Sequence, residues 1–485
     1  MNYRMMGRFL ALILTIESVF MLPAIAISII DGTAHVTRAF LISLAIIACV
    51  ALVLWVVSRH AKKAFFAKEG LFCVGLSWLL MSMFGCLPFF LSGEIPHFID
   101  ALFEMVSGFT TTGASVLSDV EALSRGILYW RSFSHWLGGM GVLVFLLALV
   151  PAGGKNEGFT MHLLRAESPG PTVGKLVPKM RQTAAVLYVT YLALTLLDFL
   201  FLMMGDMPLF DAICTAFGTA GTGGFGIRND SLASYSPYVQ NVTTVFMLLF
   251  GVNFCCYYLL LLRQFKSVLG DEELRLYVGI VLGSIALITL NVRGLYGGLL
   301  EALRHAAFQV SSIITTTGFS TVDFDLWPSF SKSILLVLMM IGACAGSTGG
   351  GFKCARLLLL IKSVRRNVTQ LLHPRQIKIV RVNDKPVDER VLATTNAYLG
   401  AYVLIVFVSF LIVSIDGFSL MTNFSAVLAC FNNIGPGFDA VGPTMNFGAF
   451  SGLSKVTLII NMLAGRLEIF PILVLFSPRT WRSNT

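Results

Sequence analysis

Four short stretches of this sequence carry the residue types that hold a bare cation. They read Phe109-Thr110-Thr111-Thr112-Gly113, Thr219-Ala220-Gly221-Thr222-Gly223-Gly224-Phe225, Thr315-Thr316-Thr317-Gly318 and Asn432-Asn433-Ile434-Gly435-Pro436-Gly437-Phe438. Each sets small hydroxyl or amide side chains beside glycine, which admits backbone conformations closed to other residues. Successive carbonyls then turn one way, and rings of carbonyl oxygens are what replace an ion's hydration shell in a potassium filter. Oxygen ligands with no carboxylate in the turn suit a monovalent ion better than Ca²⁺ or Mg²⁺. Ordinary outer turns are rich in the same residues. Four of them recurring about every 100 residues, two reading Thr-Thr-Thr-Gly, instead mark an internal repeat.

Two further features bear on ion movement. Gly342, Gly346, Gly349, Gly350 and Gly351 fall within one apolar stretch, Gly342-Ala-Cys-Ala-Gly346-Ser347-Thr348-Gly349-Gly350-Gly351. Each glycine costs about 1 kcal/mol in a helix interior, so the run predicts a broken helix and an intramembrane loop that gates permeation. Helix packing through Gly342-x-x-x-Gly346 is the rival explanation, but three consecutive glycines exceed its needs. Arg466 lies inside the last apolar stretch, where a charge costs at least ~2.5 kcal/mol. It is predicted to face the protein interior or water, as a positive barrier in the pore. Glu468, two positions on, projects from another helix face and is a poor partner for it. Lys353 and Arg356, just past the glycine run, read as the cytoplasmic water interface.

Other chemistry is excluded. Gly221-x-Gly223-x-x-Gly226 matches a dinucleotide fingerprint, but a helical stretch rather than a strand precedes it. The glycine run lacks the lysine of a phosphate-binding loop. The 9 cysteines form no C-x-x-C and the 7 histidines no H-E-x-x-H, so neither a resident metal site nor a cofactor is read on this chain. No nucleophile–base set points to an enzyme.

The elements that must position these turns follow from composition. Of 485 residues, 56% are hydrophobic and 13% charged, with mean hydropathy +0.80. A soluble domain is about 45–50% apolar and about 25% charged, so lipid must solvate this one. Apolar runs long enough to span a bilayer cover 9–30, 37–57, 71–91, 132–150, 184–204, 239–262, 276–293, 333–361, 391–415 and 453–476. The first is too long for a signal-peptide core. Alternate gaps are basic: Arg59, Lys62, Lys63 and Lys68; Arg165, Lys175, Lys179 and Arg181; and 362–390 with Lys362, Arg365, Arg366, Arg375, Lys378, Arg381, Lys385 and Arg390. By the positive-inside rule these gaps and both termini are cytoplasmic. The opposite segments carry Glu94, Asp100, Glu104, Asp119, Asp211, Asp230, Asp323, Asp325 and Asp439, a cation-attracting face. The net charge of +9 is therefore orientation rather than a nucleic-acid footprint. Partner docking and lipid headgroups account equally well for the basic stretch 362–390.

The predicted fold is an all-α polytopic membrane protein of ten transmembrane helices. Eight of them form four helix–pore loop–helix repeats around a pseudo-fourfold ion pore. Residues 1–70 supply two preliminary helices, and the repeats occupy 71–183, 184–275, 276–390 and 391–485. The short helix before each turn directs its negative C-terminal dipole at the pore, which favours a cation.

With its T-T-T-G and N-N-I-G-P-G-F turns on one chain, the sequence resembles the Trk/Ktr/HKT superfamily of cation transporters. The two extra N-terminal spans and the run Gly342–Gly351 resemble its TrkH branch, over nearly the whole chain. The resemblance implies potassium uptake across the cytoplasmic (inner) membrane, a homodimer, and a cytoplasmic nucleotide-binding regulator of the RCK type (TrkA). It implies filter positions at Thr110–Gly113, Gly221–Gly223, Thr315–Gly318 and Asn432–Gly435, and a gate at Gly346–Gly351 with Arg466. The second turn departs most from the others, leaving Gly221, Gly223 and Gly224 open as its filter glycine. A Na⁺- or H⁺-coupled symporter is the alternative; it would use mid-membrane acids, for which Glu17, Asp198 and Glu468 are the candidates.

Overall fold

The computed structural model describes residues 2–59, 67–139, 141, 180–376 and 378–476. The chain opens with α1 (Tyr3–Phe20), α2 (Leu22–Ile30) and α3 (Ala34–Val57). Asn2 caps α1 by accepting from the Met5 amide at 3.1 Å, and Pro23 in the first turn of α2 marks the break at Met21. A proline also opens the next short piece, so that α4 (Ala67–Gly85) continues as α5 (Leu87–Leu91).

From α4 onward one layout recurs: a long helix, a short helix, a turn, then a helix leading back. The first unit continues with α6 (Phe98–Phe109) and α7 (Arg125–Gly139). The second comprises α8 (Met180–Met203), α9 (Leu209–Gly221), α10 (Pro237–Phe250), α11 (Phe254–Leu261) and α12 (Phe265–Leu269). The third comprises α13 (Glu272–Val292), α14 (Leu299–Ile314), α15 (Ser329–Met339) and α16 (Cys354–Leu372), closed by a two-residue hairpin pairing Arg381 with Pro386. The fourth comprises α17 (Glu389–Val413), α18 (Leu420–Phe431), α19 (Gly452–Arg466) and α20 (Phe470–Phe476).

Apolar side chains fill the core and also cover the outer faces of the long helices. The short helices are the core: Phe103, Met105, Val106 and Phe109 of α6, and Ala426 to Cys430 of α18, are fully enclosed. The long helices present Val57 (67%), Leu404 (65%) and Leu411 (67%) outward. Such exposure is costly in water and neutral in hydrocarbon. Six described helices are long and apolar enough to cross a membrane, or seven if α10 and α11, bent by 89°, form one span. The expected span 132–150 runs past Gly139 outside the described residues, as do Lys62, Lys63, Arg165, Lys175 and Lys179.

Two expected spans need correction. The stretch 239–262 is not one helix: it bends between Phe250 and Phe254, where Asn253 caps the new helix by accepting from the Cys255 amide at 2.9 Å. The stretch 453–476 breaks after Arg466, where Glu468 and Ile469 adopt φ of +54° and +69°.

Candidate functional site

All four short helices end in the same hydrogen-bonded cap. The amides of Thr112, Gly223, Thr317 and Ile434 donate to the carbonyls of Ser107, Gly218, Ser312 and Ala429, five residues back, at 2.8, 2.9, 2.8 and 2.9 Å. The preceding amides, of Thr111, Thr222, Thr316 and Asn433, donate three residues back at 3.1, 3.0, 3.1 and 3.4 Å. This double bond pattern is a Schellman motif, and it requires a left-handed residue just past the helix. Thr111, Thr222, Thr316 and Asn433 take that conformation, with φ between +53° and +58°. Threonine pays for it in strain of the kind that collects at functional sites.

Two residues further on, Gly113, Gly224, Gly318 and Gly435 have φ of +78°, +75°, +87° and +99°. This register answers which glycine of the second turn is equivalent to Gly113. It is Gly224, and Gly223 stands where Thr112, Thr317 and Ile434 stand in the other turns. Placing Gly223 opposite Gly113 is one residue out of register.

The four turns meet in a closed ring. A Cβ on Gly113 would fall 2.0 Å from the Gly223 carbonyl oxygen; on Gly224, 1.9 Å from that of Thr317; on Gly318, 2.1 Å from that of Ile434; on Gly435, 2.7 Å from that of Thr112. Each turn therefore rests on the next, and the fourth returns to the first. The first and third turns share one side-chain brace: Thr110 and Thr315 hydroxyls lie 2.8 and 2.7 Å from those of Thr112 and Thr317. In the fourth, Asn433 Nδ2 donates to Thr112 Oγ1 at 3.0 Å and Asn432 Nδ2 to the Tyr402 hydroxyl at 2.9 Å. Among the described residues, Thr111 Oγ1, Asn432 Oδ1 and Asn433 Oδ1 are buried oxygens without a hydrogen-bond partner. A cavity of about 150 Å³ opens on one side of the ring, lined by Gly113, Gly224, Gly318 and Gly435.

The glycine stretch lies against the other side. The chain leaves helical conformation between Met339 and Cys354. Gly350 N donates to Thr316 Oγ1 at 2.7 Å. A Cβ on Gly349 would fall 3.0 Å from the Thr315 carbonyl oxygen, a tight fit, and one on Gly350 2.8 Å from that of Asn432, which a side chain there would displace. Gly346 accepts from Phe254 N at 3.0 Å, and Ser347 Oγ donates to the Cys344 carbonyl at 2.7 Å. Thr348 Oγ1 donates to the Phe250 carbonyl at 3.3 Å, and Gly351 packs on Asn432. The Glu273 carboxylate accepts from the amides of Ala345 and Ala355 at 2.6 and 3.0 Å, clasping both shoulders of the loop.

Arg466 meets this loop. Its guanidinium donates to the Thr348 carbonyl at 2.8 Å and to the Gly138 and Gly139 carbonyls at 2.5 and 2.6 Å. It thus ties the loop of the third unit to the C-terminal end of α7 in the first. Lys353 and Arg356, expected at a water interface, are instead 8% and 5% exposed. Lys353 Nζ donates to the Gly349 carbonyl, and Arg356 pairs with Glu468 while lying 4.0 Å over the Tyr398 ring. A carbonyl of the glycine loop keeps Lys353 inside the protein, and the Glu468 carboxylate does the same for Arg356.

Glu104, expected on the cation-attracting outer face, is instead fully buried behind the first and second turns, beside Arg131 and His135, whose role sequence reasoning overlooked; the three are 0%, 2% and 0% exposed. Their helical spacing of four (131, 135) along an otherwise apolar run was the available signal.

A family model described as a cation transport protein, TrkH, matches residues 36–291 and 298–483. The chain is 37% identical over 492 residues to the Trk system potassium uptake protein TrkH of Salmonella typhimurium, covering 99% of this chain and 100% of that protein. It is 35% identical over 450 residues to the Trk system potassium uptake protein TrkG of Escherichia coli, covering 92% of each. The crystal structure of the potassium transporter TrkH from Vibrio parahaemolyticus superposes with a TM-score of 0.88 at 32% identity, covering 99% of this chain and 100% of that one.

Proposed function

The chain belongs to the TrkH family of cation transport proteins, and on that premise we propose that it carries out potassium uptake through the ring of four turns. The observation that carries this reading is the closed ring itself, in which each glycine lies against the carbonyl of the neighbouring turn. Backbone oxygens held by four identical caps are pre-organised to replace the water of a monovalent cation. The cavity lined by the ring glycines is the outer vestibule, and the spans hold the chain in the cytoplasmic membrane with both termini inside. The four helix–turn–helix units are the repeats of the pore. The loop Gly346–Gly351 together with Arg466 is the gate, because the loop packs on the third and fourth turns and the charged Arg466 guanidinium donates to it. A homodimer controlled by a cytosolic, nucleotide-binding TrkA-type subunit completes the assembly.

A proton-coupled symport reading is favoured by one observation: Glu17 is buried, and neither of its carboxylate oxygens has a hydrogen-bond partner among the described residues. Reconstitution in liposomes separates the two. Radioactive Rb⁺ uptake that K⁺ competes for, Na⁺ and Li⁺ do not, and that reverses with voltage independently of pH, supports the channel-like reading. Uptake that requires a proton or Na⁺ gradient overturns it in favour of symport.

A further inference from the structure

The wall behind the first and second turns holds a buried ion pair. Arg131 Nε on α7 lies 2.6 Å from Glu104 Oε1 on α6. Both partners also grip backbone just past the turns. Glu104 accepts from Ser115 Oγ at 2.9 Å and from Val116 N at 3.0 Å, in the segment leaving the first turn. Arg131 Nη1 donates to the Gly226 carbonyl at 2.8 Å, and its guanidinium lies 3.5 Å over the Phe225 ring, in the segment leaving the second.

One helical turn along α7, His135 extends the brace. Its Nε2 accepts from Phe225 N at 3.2 Å, which leaves Nδ1–H to donate to the Gly108 carbonyl at 2.8 Å. The imidazole is thereby wedged between the two turns, and a Cβ on Gly223 would fall 2.2 Å from its ring. The other seams are built differently, and among the described residues none places a charged pair directly behind two turns. The second and third units exchange Leu232 N to Ser320 O at 3.0 Å and Ser320 N to Ser231 Oγ at 3.2 Å. The fourth meets the first through Phe447 N to Ser115 O at 2.8 Å, Asn433 Nδ2 to Thr112 Oγ1 at 3.0 Å and an ion pair of Lys455 with Asp100 at 2.5 Å, nearer the outer rim.

We propose that Glu104 and Arg131 are positioning residues for cation discrimination, the ion pair setting the separation of the first and second turns and with it the preference for K⁺ over Na⁺. The proposal rests on the ring being the filter. The pair is neutral overall, so it neither attracts nor repels the permeating ion. Its contribution is mechanical. A seam closed by a buried pair resists widening or collapse, because separating the partners leaves two charges unpaired in a low-dielectric site. A ring that holds its width cannot contract around the smaller Na⁺, which is one of the two accepted sources of selectivity.

The test is K⁺ against Na⁺ competition for Rb⁺ uptake by the full-length chain in liposomes. Two variants are needed. Glu104→Gln/Arg131→Gln removes both charges together, leaving no unpaired charge in the wall. Arg131→Lys keeps the charge but loses the planar fork and its stacking on Phe225. Both are expected to lower the K⁺/Na⁺ preference by about tenfold, the worth of one charge-assisted hydrogen bond, while total cation uptake persists. An unchanged preference in the double variant overturns the proposal. So does a loss in the double variant with full retention in Arg131→Lys, which would assign the effect to charge rather than position. A parent protein with no K⁺ preference would sink the filter reading itself, and the strut with it.

Discussion

On the cavity side of the ring the four turns are near copies, whereas on the side facing the helix ends the second, third and fourth units each finish differently. The caps agree to within 0.1 Å in their longer-range hydrogen bonds, at 2.8 and 2.9 Å, and each glycine abuts the carbonyl of the next turn. Below them, the second unit bends by 89° at Gly251–Asn253, the third runs through fourteen residues of coil from Met340 to Lys353, and the fourth breaks at Leu467–Ile469. Among the described residues, only the third unit carries a glycine loop, and Arg466 belongs to the fourth. The difference has a physical reason. An ion on a central axis is surrounded by equivalent oxygens only if the units agree, so variation there is costly. A gate has to occupy or vacate the axis, which one segment does more readily than four moving together.

The comparison breaks first at the ring glycines. Alanine at Gly113, Gly224 or Gly318 drives Cβ to 2.0, 1.9 or 2.1 Å from a backbone oxygen at a φ that L-residues resist. Rb⁺ uptake in liposomes is expected to fall by about 100-fold or more, equivalent to ~2.7 kcal/mol. Gly435→Ala, with 2.7 Å of clearance, is expected to retain more activity. Equal loss at all four would show that clearance is not what matters. On the opposite face, Arg466→Ala releases the Thr348, Gly138 and Gly139 carbonyls and removes a charge that costs at least ~2.5 kcal/mol within the membrane. Uptake is expected to rise by about tenfold; a variant no faster than the parent leaves the barrier without support.

A subtler test uses two turns of identical sequence. Thr316 Oγ1 accepts from Gly350 N, whereas Thr111 Oγ1 has no partner among the described residues. Thr316→Val forfeits about 1 kcal/mol of loop anchoring and is expected to raise uptake by about fivefold. Thr111→Val should leave gating alone. If the two variants behave alike, the loop does not distinguish the units.

The smallest effect lies on the outer rim. The Ser419 and Thr422 hydroxyls donate to Asp439 and hold its carboxyl below the ordinary value. Because the folded pKa is the lower one, this stabilisation is present above the ordinary carboxylate range near pH ~3.9 and is lost as pH falls through the folded value. Acidification below that range is expected to lower amide protection in 437–442, measured as exchange relative to the intrinsic rate at each pH, and Asp439→Asn should abolish the response. A pH-independent protection in the parent would remove this contact from consideration.

Much of the site was legible because its chemistry is local. Thr-Thr-Thr-Gly carries its cap, its left-handed residue and its glycine within four positions, and a dense glycine run is incompatible with an uninterrupted helix wherever it occurs. The second turn resisted because Gly221, Gly223 and Gly224 are interchangeable by composition, and only the backbone register separates them. The breaks at Gly251–Asn253 and after Arg466 were hidden inside apolar runs of spanning length, since hydropathy records what lipid tolerates and not where a helix bends.

By itself the sequence determined that this chain lives in a bilayer, that its polar turns recur, and that one helix fails at its glycines, because hydropathy, glycine entropy and turn chemistry act over a few residues. Only the tertiary structure decided which oxygens meet. Glu468 neutralises Arg356 across 112 positions, Arg466 reaches Gly138 across 328, and Glu104 finds Arg131 on the neighbouring helix. Buried charges have no preference by distance along the chain; they settle wherever the fold offers a partner in place of the water they have lost.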